Sequence, residues 1–191
     1  MHTLAVSLVM ASVAEVALLA GRFDEAEAAV EESTSGRLPG LLAFSAAANA
    51  QIQRGRLAAI QGDHAKAVEV ADQVLAWLRP LEVRPYDADA LLLKGNSLTA
   101  LGRTDEAERV LLEGRDEAEK LGFAPIVWRI DMALCDIASA AGDRGRSVEL
   151  RDRARRVIER LAASIDEEDL RASFLASPDV RAVVADGTLA P

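Results

Sequence analysis

Four glycines at nearly equal spacing constrain this chain more than any other feature. They are Gly21, Gly62, Gly102 and Gly142, with steps of 41, 40 and 40 residues. Each opens a related hexapeptide: GRFDEA, GDHAKA, GRTDEA and GDRGRS. Five residues after each glycine stand Ala26, Ala67, Ala107 and Ser147, and seven before stand Ala14, Gly55, Gly95 and Cys135. Small residues held in one frame at four copies mark an internal repeat, the signature of a stacked array.

The physics of the frame is a helical hairpin. Gly21 and Gly102 close the apolar runs VALLAG and SLTALG, where a left-handed residue that ends a helix is best supplied by glycine. A carboxylate then opens the next run: Asp24 with Glu27 and Asp105 with Glu108 fit an acidic variant of the capping box. Each copy therefore predicts a helix A, a glycine turn and a helix B. Mid-helix glycine costs roughly 1 kcal/mol relative to alanine, so Gly55 and Gly95 need a reason, and close approach of helix A to its partners supplies one. The predicted hairpins span about 3–34, 40–78, 86–120 and 124–163, followed by a C-terminal helical cap at about 166–185. Pro80 and Pro85 punctuate the second connection, Asp87 is the expected cap of the third A helix, and Pro39 and Pro125 sit at helix entrances.

Composition agrees with an all-α chain. Half of the 191 residues are apolar but only 4% are aromatic, and the dominant alanine and leucine are strong helix formers. The net charge of −9 argues against nucleic-acid binding, which needs a clustered cationic surface. The charge alternates along the chain, −4, +1, −4, +2 and −4 over residues 1–40, 41–80, 81–120, 121–160 and 161–191. A single cysteine, Cys135, in an apolar setting predicts a buried small side chain and suits a reducing cytoplasm. The apolar stretch at residues 2–20 lacks a basic leader and contains Glu15, so a core helix is expected there and not a signal or membrane segment.

Small residue, seven steps, turn glycine, five steps, alanine is the skeleton of the tetratricopeptide repeat, and residues 3–163 resemble that family. The segment LLLKGNSLTALGRTDEAERVLLEG (91–114) matches best. The period near 40 exceeds the usual ~34, and alanine or leucine fills the family's aromatic positions. The resemblance implies a right-handed α-α superhelix of four hairpins in a single array, acting as a non-catalytic scaffold for a protein or peptide partner. It also implies that the exposed face of each A helix reads that partner. Six and thirteen residues before the turn glycines this frame places polar side chains, among them Asn49, Arg56, Asn96, Arg129 and Asp136 as candidate groove residues. Glu15 and Asp89 occupy equivalent positions. KGN (94–96) resembles the start of a carboxylate-clamp repeat. The C-terminal segment resembles the ends of repeat arrays in large bacterial signalling ATPases and nucleotide cyclases, which implies that the chain is the interaction part of a longer protein.

Other chemistry finds little support in the residues. There is no phosphate-loop motif and no HExxH, and the two histidines, His2 and His64, form no metal cluster. No cofactor, metal, nucleic-acid or membrane partner is expected. The basic run at 144–160 is predicted to bury a stripe of Val148, Ala154, Val157, Ile158 and Leu161. Its arginines then form either a self-neutralised solvated face or a docking surface for an acidic partner. Two alternatives to peptide binding stand: a ligand-sensing regulatory domain, and a homodimer formed through the exposed N-terminal helix, where Leu4, Val6, Leu8 and Val9 lack a neighbour.

Overall fold

The computed structural model describes residues 4–34, 41–81 and 86–185, and among them every regular element is helical. The helices are α1 (Leu4–Leu19), α2 (Phe23–Thr34), α3 (Leu41–Ile60), α4 (His64–Leu78), α5 (Asp87–Ala100), α6 (Thr104–Lys120), α7 (Ala124–Ala140), α8 (Arg144–Ala163), α9 (Glu168–Ala176) and α10 (Pro178–Ala185). They are the predicted A and B helices in order, with ends shifted by a residue or two. Pro80 lies in a single 3₁₀ turn, Arg79–Leu81, appended to α4. Pro85, expected to punctuate the same connection, and Pro39, expected at a helix entrance, lie outside the described residues. The chain divides into two compact units, Met1–Val110 and Leu111–Pro191.

Each turn is built the same way. At Gly102 (φ 74°) the amide donates to the Thr99 carbonyl at 2.9 Å, and the Arg103 amide donates to the Leu98 carbonyl at 2.9 Å. This double bond pattern over a left-handed residue satisfies the orphaned carbonyls of the preceding helix end. Gly21, Gly62 and Gly142 repeat it, and so does Gly122 (φ 66°), between α6 and α7, which the 40-residue frame does not reach.

The start of each B helix corrects the capping expectation. α2 and α6 begin at Phe23 and Thr104, so Asp24 and Asp105 already lie inside the first turn, where they meet the helix dipole and do not cap. Side-chain capping occurs in the other two copies, at the residue directly after the glycine. Asp63 accepts from the Lys66 amide at 3.0 Å, and Asp143 from the Arg146 amide at 3.1 Å. In the Gly-Arg copies that position is Arg22 or Arg103, each paired to a glutamate three residues on, Glu25 or Glu106, at 2.7 Å. Asp87 is likewise the first residue of α5, preceded by Tyr86, which makes no side-chain cap bond.

In the first unit α1 packs on α2 and α3, and α3 packs on α4 and α5. The small frame residues are where the helices meet: Ala14, Ala26, Ala67 and Ala107 have no exposed surface, and Gly55 and Gly95 are buried. A methyl group added at Gly55 would stand 2.5 Å from Leu93 Cδ2 and 3.3 Å from Val70 Cγ1, so Leu93 and Val70 would have to shift to admit one. In the second unit α7 and α8 form the fourth hairpin, and α9 and α10 pack on α8. Buried Cys135 donates from Sγ to the Ser147 carbonyl at 3.3 Å, joining two frame positions across the hairpin. The buried face of α8 is Leu150, Ala154, Val157, Ile158 and Ala162. Val148, expected on that stripe, is 60% exposed; it lies two residues from Leu150, about 200° around a helix of 3.6 residues per turn.

Candidate functional site

The A helices of the first unit carry a connected polar cluster in otherwise aliphatic surroundings. Arg56, on α3, sits at its centre. It donates from Nη2 to Asp89 Oδ1 on α5 at 2.8 Å and from Nη1 to Glu15 Oε1 on α1 at 3.4 Å. Nη1 also donates to Gln53 Oε1 at 3.2 Å, and Gln53 Nε2 in turn donates to Asn49 Oδ1 at 2.8 Å. One guanidinium therefore ties three successive A helices together through side chains drawn from the frame positions. The cluster is half-buried: the Arg56 side chain is 24% exposed, Asp89 17% and Glu15 40%. Tyr86 borders it, its hydroxyl held above the usual phenol range by burial, with the charges of Asp89 and Glu15 adding to the effect.

Of the sequence-predicted residues, the structure brings Asn49 and Arg56 into this one network. Asn96, on α5, is exposed. Lys94 beside it is engaged by Asp72 of α4 at 2.6 Å, so the KGN segment presents an amide to solvent while its ammonium is held sideways. Arg56 is also not an open fork for an incoming carboxylate, because two carboxylates of the chain already hold its Nη groups.

Arg129 and Asp136 belong to the second unit and occupy α7. The Arg129 guanidinium lies 5.4 Å from the ring centroid of Trp128, within cation–π range. Trp128 itself is 4% exposed, a core side chain. Asp136 is exposed two turns further along the same helix, where neighbouring side chains still shield its carboxyl in part and raise its pKa, and the charge of Arg151 opposes the rise.

A third polar centre was not anticipated from the sequence. Asp131, on α7, is fully buried and accepts from Arg153 Nε of α8 at 2.9 Å and from Arg115 Nη1 of α6 at 3.5 Å. Arg153 also donates to Glu119. Burial pushes the Asp131 carboxyl up to about 6, against the opposing pull of Arg115. The signal was present in the sequence: a lone carboxylate between Ile130 and Leu134 on an apolar helix needs a cationic partner if it is buried.

Among the described residues, no helix is long and apolar enough to cross a membrane, and no group of three or more His, Cys, Asp or Glu side chains is arranged to hold a metal. A family model described as tetratricopeptide repeat matches residues 10–32, 48–73 and 88–113. These ranges fall on the first three helical hairpins, which are similar to tetratricopeptide repeats; the α7–α8 hairpin lies outside them. No curated protein matches the chain.

Proposed function

We propose that this tetratricopeptide-like chain is a non-catalytic protein-interaction scaffold whose A helices read an extended peptide. Repeats of this kind are generally protein-binding scaffolds. The observation that carries the reading here is the Glu15–Arg56–Asp89 link, which fixes polar side chains of α1, α3 and α5 on one connected surface. Asn49 and Asn96 supply donors and acceptors for a peptide backbone. Arg129 and Asp136, on α7, are candidates for a contact of the same kind within the second unit.

A phage-displayed random peptide library panned on the chain tests this. The expected result is an enriched motif whose binding is abolished by Arg56→Ala with Asn96→Ala while helicity by circular dichroism is unchanged. Unaltered affinity in that double variant removes the groove. The resemblance of the C-terminal segment extends the reading to a regulatory part of a larger bacterial signalling ATPase or cyclase. A thermal-shift screen with nucleotides and small metabolites tests its ligand-sensing form, for which a flat response counts against it.

One observation favours a second reading, self-association. Val9, Val13 and Val16 are 58%, 39% and 57% exposed on α1, and with Ser12 they line a shallow cleft of about 520 Å³ closed by Arg22 and Glu25. The spacing of four and three residues is a helical stripe that a second copy of α1 can cover. Leu4 and Leu8, expected on this face, have side chains outside the described residues. A monomer mass in sedimentation equilibrium sinks this alternative.

A further inference from the structure

We infer that the second unit carries a separate docking cleft for an acidic peptide, formed by the arginine face of α8 against the turn between α6 and α7. The cleft has a volume of about 470 Å³, within the range of sites that enclose a few side chains. One wall is the row Arg153, Arg156 and Arg160, which the spacing of three and four residues sets on one helical face. The floor is apolar, from Val127 of α7 and Val157 of α8. Opposite stands the α6–α7 turn, where Gly122 contributes backbone and no side chain, and a methyl group placed there would meet nothing within 4 Å.

Charge decides the occupant. Glu119 is the one acidic side chain among the lining residues, and it is taken up by Arg153. Arg153 is also committed to Asp131. Arg156 and Arg160 are exposed, and among the described residues neither forms an ion pair or a side-chain hydrogen bond. Arg155, between them in sequence, is by contrast neutralised by Asp152 at 2.9 Å. The alternating charges of this segment therefore cancel on one side of α8 and leave two guanidinium groups unopposed at the cleft. The local potential acts on Arg153, whose pKa is depressed by burial and then by the charges of Arg115 and Arg156, with Asp116 opposing. Two guanidinium forks flanking an aliphatic floor match a short segment in which carboxylates flank an aliphatic side chain. A duplex needs a clustered cationic surface, and two unopposed guanidiniums are too few to supply one.

The cleft uses none of the proposed groove residues, so the two surfaces can be tested apart. The probe is a fluorescein-labelled pentapeptide, Glu-Glu-Leu-Glu-Glu, with Gln-Gln-Leu-Gln-Gln as its neutral counterpart, followed by fluorescence anisotropy with the full chain. The acidic peptide should bind, weaken steadily with rising salt, and lose about tenfold or more in affinity in Arg156→Ala with Arg160→Ala. Paired Arg→Lys replacements should recover part of the loss. Both arginines are exposed and unpaired, so the double variant should melt within a few degrees of the parent. Arg56→Ala with Asn96→Ala should leave this binding untouched, which separates failure of the groove from failure of the cleft. Absence of binding, equal binding of the neutral peptide, full affinity in the arginine variant, or equally effective displacement by inorganic phosphate overturns the inference.

Discussion

The two units solve the same problem, a charged side chain among aliphatic helices, with opposite stoichiometry. In the first unit one guanidinium, Arg56, is shared by two carboxylates, Glu15 and Asp89. In the second, one carboxylate, Asp131, is shared by two guanidiniums, Arg115 and Arg153. Exposure separates their roles. Arg56 and its partners keep contact with water, so exchange of one partner for a ligand is inexpensive. Asp131 has no exposed surface, and removing its arginines strands a desolvated carboxylate. The half-exposed cluster is suited to recognition and the closed one to holding α6, α7 and α8 together.

That contrast is sharpest where it can fail most visibly. Asp131→Ala should cost about 2–3 kcal/mol, because it leaves a void at a fully buried position and removes the shared partner of two part-buried guanidiniums. Urea denaturation of the full chain measures it, and a loss comparable to that at a surface ion pair would erase the distinction between the units. Gly55→Ala should come next, at a net cost of about 1–2 kcal/mol: the clash with Leu93 and Val70 outweighs the better helix propensity of alanine. If instead this variant is stabilised, close helix approach is not what holds the first unit.

The third prediction concerns pH. Burial raises the Asp131 carboxyl to about 6 in the folded chain against its ordinary 3.8, so between those values the folded state binds a proton that the unfolded state does not. Stability from this group is therefore present below the unfolded value and falls as pH rises through the folded one. Relative to Asp131→Asn, the parent should gain about 1 kcal/mol between pH 7 and pH 5. A gap that widens with rising pH would reverse the assignment, placing the pull of the arginines above the cost of burial. The smallest effect is expected from Arg56→Ala, under about 1 kcal/mol, since its partners are partly solvated. A loss matching that of Asp131→Ala would make the first cluster a structural lock as well.

The glycine frame was legible because a left-handed helix end is a local requirement with one preferred residue, and it recurs at a fixed step. Gly122 escaped because its turn joins α6 to α7, between hairpins, outside that step. The aspartate caps escaped for a smaller reason: the B helices begin one or two residues earlier than the acidic pairs suggested, so Asp63 and Asp143 do what was assigned to Asp24 and Asp105. The candidate groove positions followed from the same frame, but their occupancy did not. The partners of Arg56 lie 41 and 33 residues away in the chain, and only packing brings them together. Asp131 on an apolar helix signals that a cation is needed, but which arginines meet it is not local information, the partners being 16 and 22 residues distant on other helices.

The five glycine joints also bear on how such a chain acquires its shape. Each closes with hydrogen bonds reaching back only three to five residues, so forming a joint forfeits little chain entropy. A hairpin can start at any of the five without waiting for a distant strand or a terminal segment, and low contact order of this kind goes with fast folding. Growth and loss of hairpins follow the same rule. A duplicated stretch of about forty residues bounded by two joints brings its own start and stop signals, so an array of this kind lengthens without redesign of what is already there.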